Sequence, residues 1–114
     1  MEQVTLKHKR VIAWMGDSRE VLRGFPRGIR QRFGRDLFRL ELGLEPAHYR
    51  PMPSLGLGVY ELREQDERAW YRVVYYVRVK NLIYVLHAFE KASGKTSKQD
   101  RRTVELRLRQ VPKR

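Results

Sequence analysis

Cysteine is absent from this 114-residue chain, which excludes a disulfide framework, a thiolate zinc site and a cysteine nucleophile. No run of 18 apolar residues occurs, so no segment reads as a membrane span. The first residues lack an unbroken apolar stretch and do not read as a secretory signal. Acidic side chains are scarce: 13 Asp and Glu stand against 25 Lys and Arg, a net charge of +12 with histidine neutral. Three scattered histidines and no carboxylate cluster make a metal site unexpected, and no small-molecule cofactor is implied.

What is present suffices for a folded chain. With 41% hydrophobic and 11% aromatic residues, one domain over 1–114 is expected. At this size it buries roughly two-thirds of its unfolded surface. The expectation is a basic cytoplasmic domain with a polyanionic partner.

The charge is unevenly placed. Residues 1–56 carry 11 basic and 6 acidic side chains, residues 57–90 carry 5 of each, and residues 91–114 carry 9 and 2. A neutral, apolar middle therefore precedes a cationic tail. Such a tail gains affinity for phosphate backbones by releasing counterions. A solvated surface that keeps a small protein soluble is the plainer alternative.

Residues 5–14 suggest a first strand ending at Met15-Gly16. Asp17 or Ser18 caps a short helix closed by Gly24. Pro26 opens a second helix over 26–43, in which Ile29, Phe33, Leu37, Leu40 and Leu44 recur at helical spacing. An irregular connection rich in glycine and proline comes next. Strands are predicted at 57–64, 69–79 and 82–90, paired antiparallel through short connections. Ser97 with Asp100 resembles a capping box at the start of a last helix, with Val104, Leu108 and Val111 as its apolar stripe. The order is β-α-α-β-β-β-α, an α+β domain with helices packed on an antiparallel sheet.

Alternation along the strands sorts the side chains into faces. Tyr60 and Leu62 share one face, and Val59, Glu61 and Arg63 the other. Tyr71, Val73, Tyr75 and Val77 lie opposite Trp70, Arg72, Val74 and Tyr76. Leu82, Tyr84, Leu86 and Ala88 are taken as core-facing, with Val85, His87 and Phe89 opposite. Glu61, Arg63, Arg72, His87 and Lys91 thus fall on one surface. Guanidiniums hold phosphates bidentately and stabilise charge developing on them, and aromatics stack unpaired bases. The set suits single-stranded RNA, although each charge also serves simply to solvate a half-buried sheet.

The stretch Lys91-Ala-Ser-Gly-Lys95-Thr-Ser-Lys98 places three lysines and three hydroxyls before a helix N-terminus, where phosphate is favoured. Its SGKTS is not a nucleotide-binding loop. The required first glycine, five positions before Gly94, is Phe89.

The segment GVYELREQDERAWYRVVYYVRVKNLIYVLHAFEKASGKTSKQD resembles the HigB-like, phage-derived branch of the RelE/ParE toxin superfamily. The pattern from Phe25 to Pro46 and the run WMGDSREVL fit the same branch. The resemblance implies a RelE/ParE-like fold and the toxin half of a type II toxin–antitoxin system. It further implies an endonuclease that cleaves mRNA on the ribosome, arrests growth and is neutralised by a helix-turn-helix antitoxin. Arg63, Arg72 and Lys91 match the basic positions of that pattern. Glu61 replaces a second basic residue found in some relatives, and their catalytic tyrosine in the last helix has no counterpart. The implied chemistry is metal-independent attack of a ribose 2′-OH on the adjacent phosphorus. Arg63 and Arg72 would stabilise the charge, Glu61 or His87 would be base, and Lys91 acid. Lys95, Lys98, Arg101 and Arg102 would grip substrate or ribosomal RNA. Two alternatives remain: a ParE-like gyrase poison that cuts nothing, and a basic RNA-binding module without catalysis.

Overall fold

The computed structural model describes residues 9–77, 81–92 and 95–112. Residues 5–8 of the predicted first strand, Arg78 and Val79 of the second hairpin strand, and Ser93 and Gly94 of the lysine-rich turn lie outside them. The elements are β1 (Val11–Trp14), α1 (Ser18–Arg23), α2 (Arg27–Glu41), β2 (Tyr49–Pro51), β3 (Val59–Gln65), β4 (Trp70–Tyr76), β5 (Leu82–Lys91) and α3 (Lys98–Gln110). Five strands form one mixed sheet in the order β1-β5-β4-β3-β2, so the α+β class read from the sequence is the one observed.

The sheet departs from the expected purely antiparallel arrangement at the β1 edge and gains an unexpected strand at the other. β1 runs parallel to β5, because α1 and α2 carry the chain away before β3, β4 and β5 return as an antiparallel meander. The connection expected to be irregular contributes β2, which pairs antiparallel with β3 through Tyr49↔Leu62, Arg50↔Glu61 and Pro51↔Tyr60. A proline is tolerated there because an edge strand has a side that needs no N–H.

Both faces of the sheet are covered. α1 and α2 lay Leu22, Ile29, Phe33, Leu37 and Leu40 on Leu62, Tyr71, Val73, Tyr75, Ile83, Val85 and Ala88. The helical spacing in α2 is thus a core stripe, ending at Leu40; Leu44 lies past the helix and is exposed. On the other face Val104 of α3 and Val111, just past its end, pack on Val59, Val74, Leu86 and Phe89. A strand buried on both faces has no single core side, which is why the parity assigned to β5 holds only in part. Val74 pairs with His87, whereas Tyr75 pairs with Val85, so Leu86 is an extra residue in a bulge. Before the bulge Ile83 and Val85 face α2, and Tyr84 and Leu86 face α3. A bulge inserts one residue and re-aims the side chains beyond it.

The bulge is pinned by a residue from α3. Arg107 donates to the Leu86 carbonyl at 2.9 Å and to Asp17 Oδ1 at 3.0 Å. Asp17 occupies the N-cap position of α1 but makes no side-chain cap bond, its carboxylate being engaged by Arg107. The Ser97 cap of α3 forms as predicted, with Oγ accepting from the Asp100 N–H at 3.0 Å. Among the described residues no helix is long and apolar enough to cross a membrane.

Candidate active site

Glu61 lies at the centre of the α3-side face of the sheet, fully buried. β2 places Arg50 opposite it, and the next same-face row of the β3–β4 ladder pairs Arg63 directly with Arg72. Three guanidiniums consequently converge on one oxygen. Arg72 Nε is 3.4 Å from Glu61 Oε1, Arg50 Nε 3.6 Å and Arg63 Nε 3.9 Å. These are charge–charge contacts, since neither Glu61 oxygen accepts a hydrogen bond within the described structure. A carboxylate withdrawn from water costs several kcal/mol unless cations surround it, and here they do.

The cations differ in exposure. Arg72 is buried and donates to the Tyr71 carbonyl at 3.0 Å, with its guanidinium carbon 5.9 Å from the Trp70 ring centroid. Burial holds its proton affinity below the ordinary arginine value, with Arg63 and Arg50 adding to the effect against Glu61. Arg63 and Arg50 are 44% and 53% exposed and reach solvent. Lys91, paired across β4 with Trp70, is also buried. Its Nζ donates to Thr96 Oγ1 at 3.4 Å. Burial lowers its pKa first and the Arg72 charge second, with Glu61 opposing.

Beside this group a cleft of about 520 Å³ opens, lined by Ala47, His48, Tyr49, Arg63, Glu64, Gln65 and Arg72. Its outer wall is held by α2, because Asp36 Oδ1 accepts from the Ala47 N–H at 3.0 Å. Arg63 N–H donates to the His48 carbonyl at 2.9 Å, continuing the edge pairing one residue before β2. His48 Nδ1 lies 3.6 Å from Glu64 Oε2, and Arg32 Nε donates to Glu64 Oε1 at 3.0 Å. The cleft therefore holds a histidine backed by a carboxylate, next to two guanidiniums.

The structure gathers Glu61, Arg63, Arg72 and Lys91 as the strand faces predict, and takes His87 elsewhere. His87 stands two strands from Glu61, with Val74 between them. Its Nε2 is 2.8 Å from Asp100 Oδ1 and its Nδ1 3.5 Å from Arg107 Nη1. Both ring nitrogens are thus turned to α3. Lys95, Lys98 and Arg102 are exposed around the start of α3. Arg101 instead bonds Ser54 Oγ at 3.0 Å and approaches Glu105 at 3.8 Å. The helix terminus read as a phosphate site already holds a carboxylate, since Asp100 Oδ2 accepts from the Ser97 hydroxyl at 2.8 Å.

Two residues of the group escape a reading from strand patterns. Arg50 and His48 belong to or border a three-residue strand, too short for alternation to register. The only trace is Tyr49 preceding Arg50, an inward aromatic beside an outward cation. Among the described residues no group of three or more His, Asp or Glu is arranged to hold a metal ion. Neither a curated protein nor a solved structure matches the chain. The sequence pattern described as "Phage derived protein Gp49-like (DUF891)" matches residues 20–109, from within α1 to the end of α3. The chain belongs to that Gp49-like family, which is associated with toxin–antitoxin systems.

Proposed function

We propose that the chain is the toxin of a type II toxin–antitoxin pair, a metal-independent endoribonuclease that cleaves mRNA on the ribosome and is neutralised by a cognate antitoxin. The observation that carries this reading is the convergence of Arg50, Arg63 and Arg72 on one Glu61 oxygen at the wall of an open cleft. With Lys91 close by, one carboxylate is outnumbered by cations, which leaves positive charge to receive a phosphodiester. Fixed guanidiniums are most effective where negative charge grows in the transition state.

In the reaction the 2′-oxygen of a ribose attacks the adjacent phosphorus and the 5′-oxygen departs. The products are a 2′,3′-cyclic phosphate and a 5′-hydroxyl. Arg63 and Arg72 bind the non-bridging oxygens. His48 accepts the 2′-OH proton through Nε2, with Glu64 beside Nδ1 stabilising the imidazolium, a carboxylate–imidazole pairing suited to general-base work. Lys91, which gives up its proton more readily than an ordinary lysine, protonates the departing oxygen. Glu61 is a positioning residue, too buried to meet substrate, and His87 positions the β5 bulge against α3. Lys95, Lys98 and Arg102 contact RNA backbone.

The test is primer-extension mapping of an mRNA on translating ribosomes with the purified chain, together with analysis of the new ends. Cleavage that needs ribosomes and leaves cyclic phosphate supports the reading. Intact mRNA overturns it, and inhibition of gyrase supercoiling by the same preparation would place the chain with non-cutting toxins.

A further inference from the structure

We propose that Trp70 and Gln65 form a subsite for one unpaired nucleobase of the strand held by Arg63 and Arg72. This rests on the reading of the chain as an RNA-cleaving toxin and adds a base contact to it. In the ladder, the row Gln65↔Trp70↔Lys91 is next to the row Arg63↔Arg72↔Phe89 and shares its face of the sheet. Successive same-face rows are separated by roughly 7 Å along a strand, a step one nucleotide spans.

Exposure sets Trp70 apart. The five residues after it in β4 are buried, whereas Trp70 is only half-buried, an indole left partly open beside a cationic cleft. Arg72 lies over its ring, so the aromatic surface continues directly from a phosphate-binding guanidinium. Gln65 is exposed and lines that cleft with Arg63 and Arg72. Its amide offers a donor and an acceptor to a base edge, while the indole offers a flat surface to any base.

The platform is also held in place. Asp66 Oδ1 accepts from the Arg68 and Ala69 N–H groups at 2.9 Å each, and Oδ2 accepts from the Tyr71 hydroxyl at 3.2 Å. These bonds tie the turn on which both subsite residues border. A preorganised aromatic loses little freedom on binding. Unpaired RNA is the occupant that fits, because paired bases have no free face to stack.

The experiment uses the full chain and hexauridylate, monitored by quenching of tryptophan fluorescence and by competition against a labelled hexamer. Trp70→Leu, which keeps apolar bulk and removes the π surface, should weaken binding about tenfold, and Trp70→Phe should weaken it less. A hexamer with one abasic residue, moved through each position in turn, should bind wild type weakly at one position. Trp70→Leu should not distinguish that position from its neighbours. Gln65→Ala should alter the relative affinities of the four homopolymeric hexamers. Circular dichroism and the melting temperature confirm that each variant is folded. Wild-type binding by folded Trp70→Leu, or an abasic penalty that persists in it, overturns the subsite. Cleavage separates this from the broader reading. A chain that binds through Trp70 but never cuts keeps the subsite and loses the nuclease, whereas Trp70→Leu cutting with wild-type kcat/KM keeps the nuclease and loses the subsite.

Discussion

Arg63 and Arg72 stand directly opposite each other on β3 and β4, yet both turn to the same Glu61 oxygen, at 3.9 and 3.4 Å. Like charges opposed across a ladder repel, and the buried carboxylate one row away offsets that repulsion. The pair is therefore a charged device held together by its own counter-ion.

Because Arg63 is exposed and Arg72 buried, the two should fail differently. Arg63→Ala is expected to reduce cleavage by about 10²–10³-fold with a melting temperature near wild type. Arg72→Met leaves Glu61 without its nearest cation and should cost about 3–5 kcal/mol of stability as well as activity. Adding Glu61→Gln to Arg72→Met should recover stability without activity. Urea unfolding beside a ribosome cleavage assay reads both quantities. Recovery of cleavage in the double variant would show that Arg72 is only structural.

His48 is exposed, so replacing it should spare the fold. His48→Gln is expected to lower kcat by about 10²-fold or more with a melting temperature near wild type. His87→Gln should instead lower the melting temperature, since it breaks the contacts with Asp100 and Arg107. A wild-type kcat in His48→Gln would remove it from the reaction.

Lys91 tests the trade between activity and stability. Its folded-state pKa is lowered, by burial first and Arg72 second, so below that value the ammonium costs the folded state. The unfolded chain binds the proton more tightly, and stability rises with pH as the folded group gives it up. Lys91→Met, which keeps the apolar stem, should be more stable than wild type at neutral pH. The gain should shrink toward about pH 10, where unfolded lysine also titrates, and cleavage should be lost throughout.

Asp66 works in the opposite sense. The Arg68 N–H chiefly holds its carboxyl below the usual range, with the Ala69 N–H and Tyr71 hydroxyl adding to it against partial burial. Its contribution is complete above about pH 4 and is lost as pH falls through the lower folded value. Asp66→Ala should melt earlier at neutral pH, with the difference from wild type closing in strong acid. Thermal melts across that range check the sign.

Gly16 has a positive φ of 55°, and a Cβ there would overlap the Arg107 guanidinium. Gly16→Ala should cost about 1–3 kcal/mol in backbone strain and would also displace the cation that pins the Leu86 bulge. Arg107→Met should be destabilised too, and the two losses should be less than additive, since displacement of the guanidinium is common to both while the strain at Gly16 is not. Additive losses in denaturant melts would separate them.

The helices, the three-stranded meander and the faces of β3 and β4 were legible in the order of residues alone. Those features arise from local periodicity, which depends only on the spacing of apolar residues and on chain geometry. The shared surface of Glu61, Arg63, Arg72 and Lys91 was legible for the same reason, because alternation carries across paired strands. Packing between distant segments set the features that alternation cannot express. The Leu86 bulge reverses parity within β5, and α3 covers the second face, claiming His87 through Asp100 and Arg107. An edge strand of three residues brings Arg50 and His48 to the cleft. Each of these depends on long-range contacts, whose energies enter only when the chain has closed on itself.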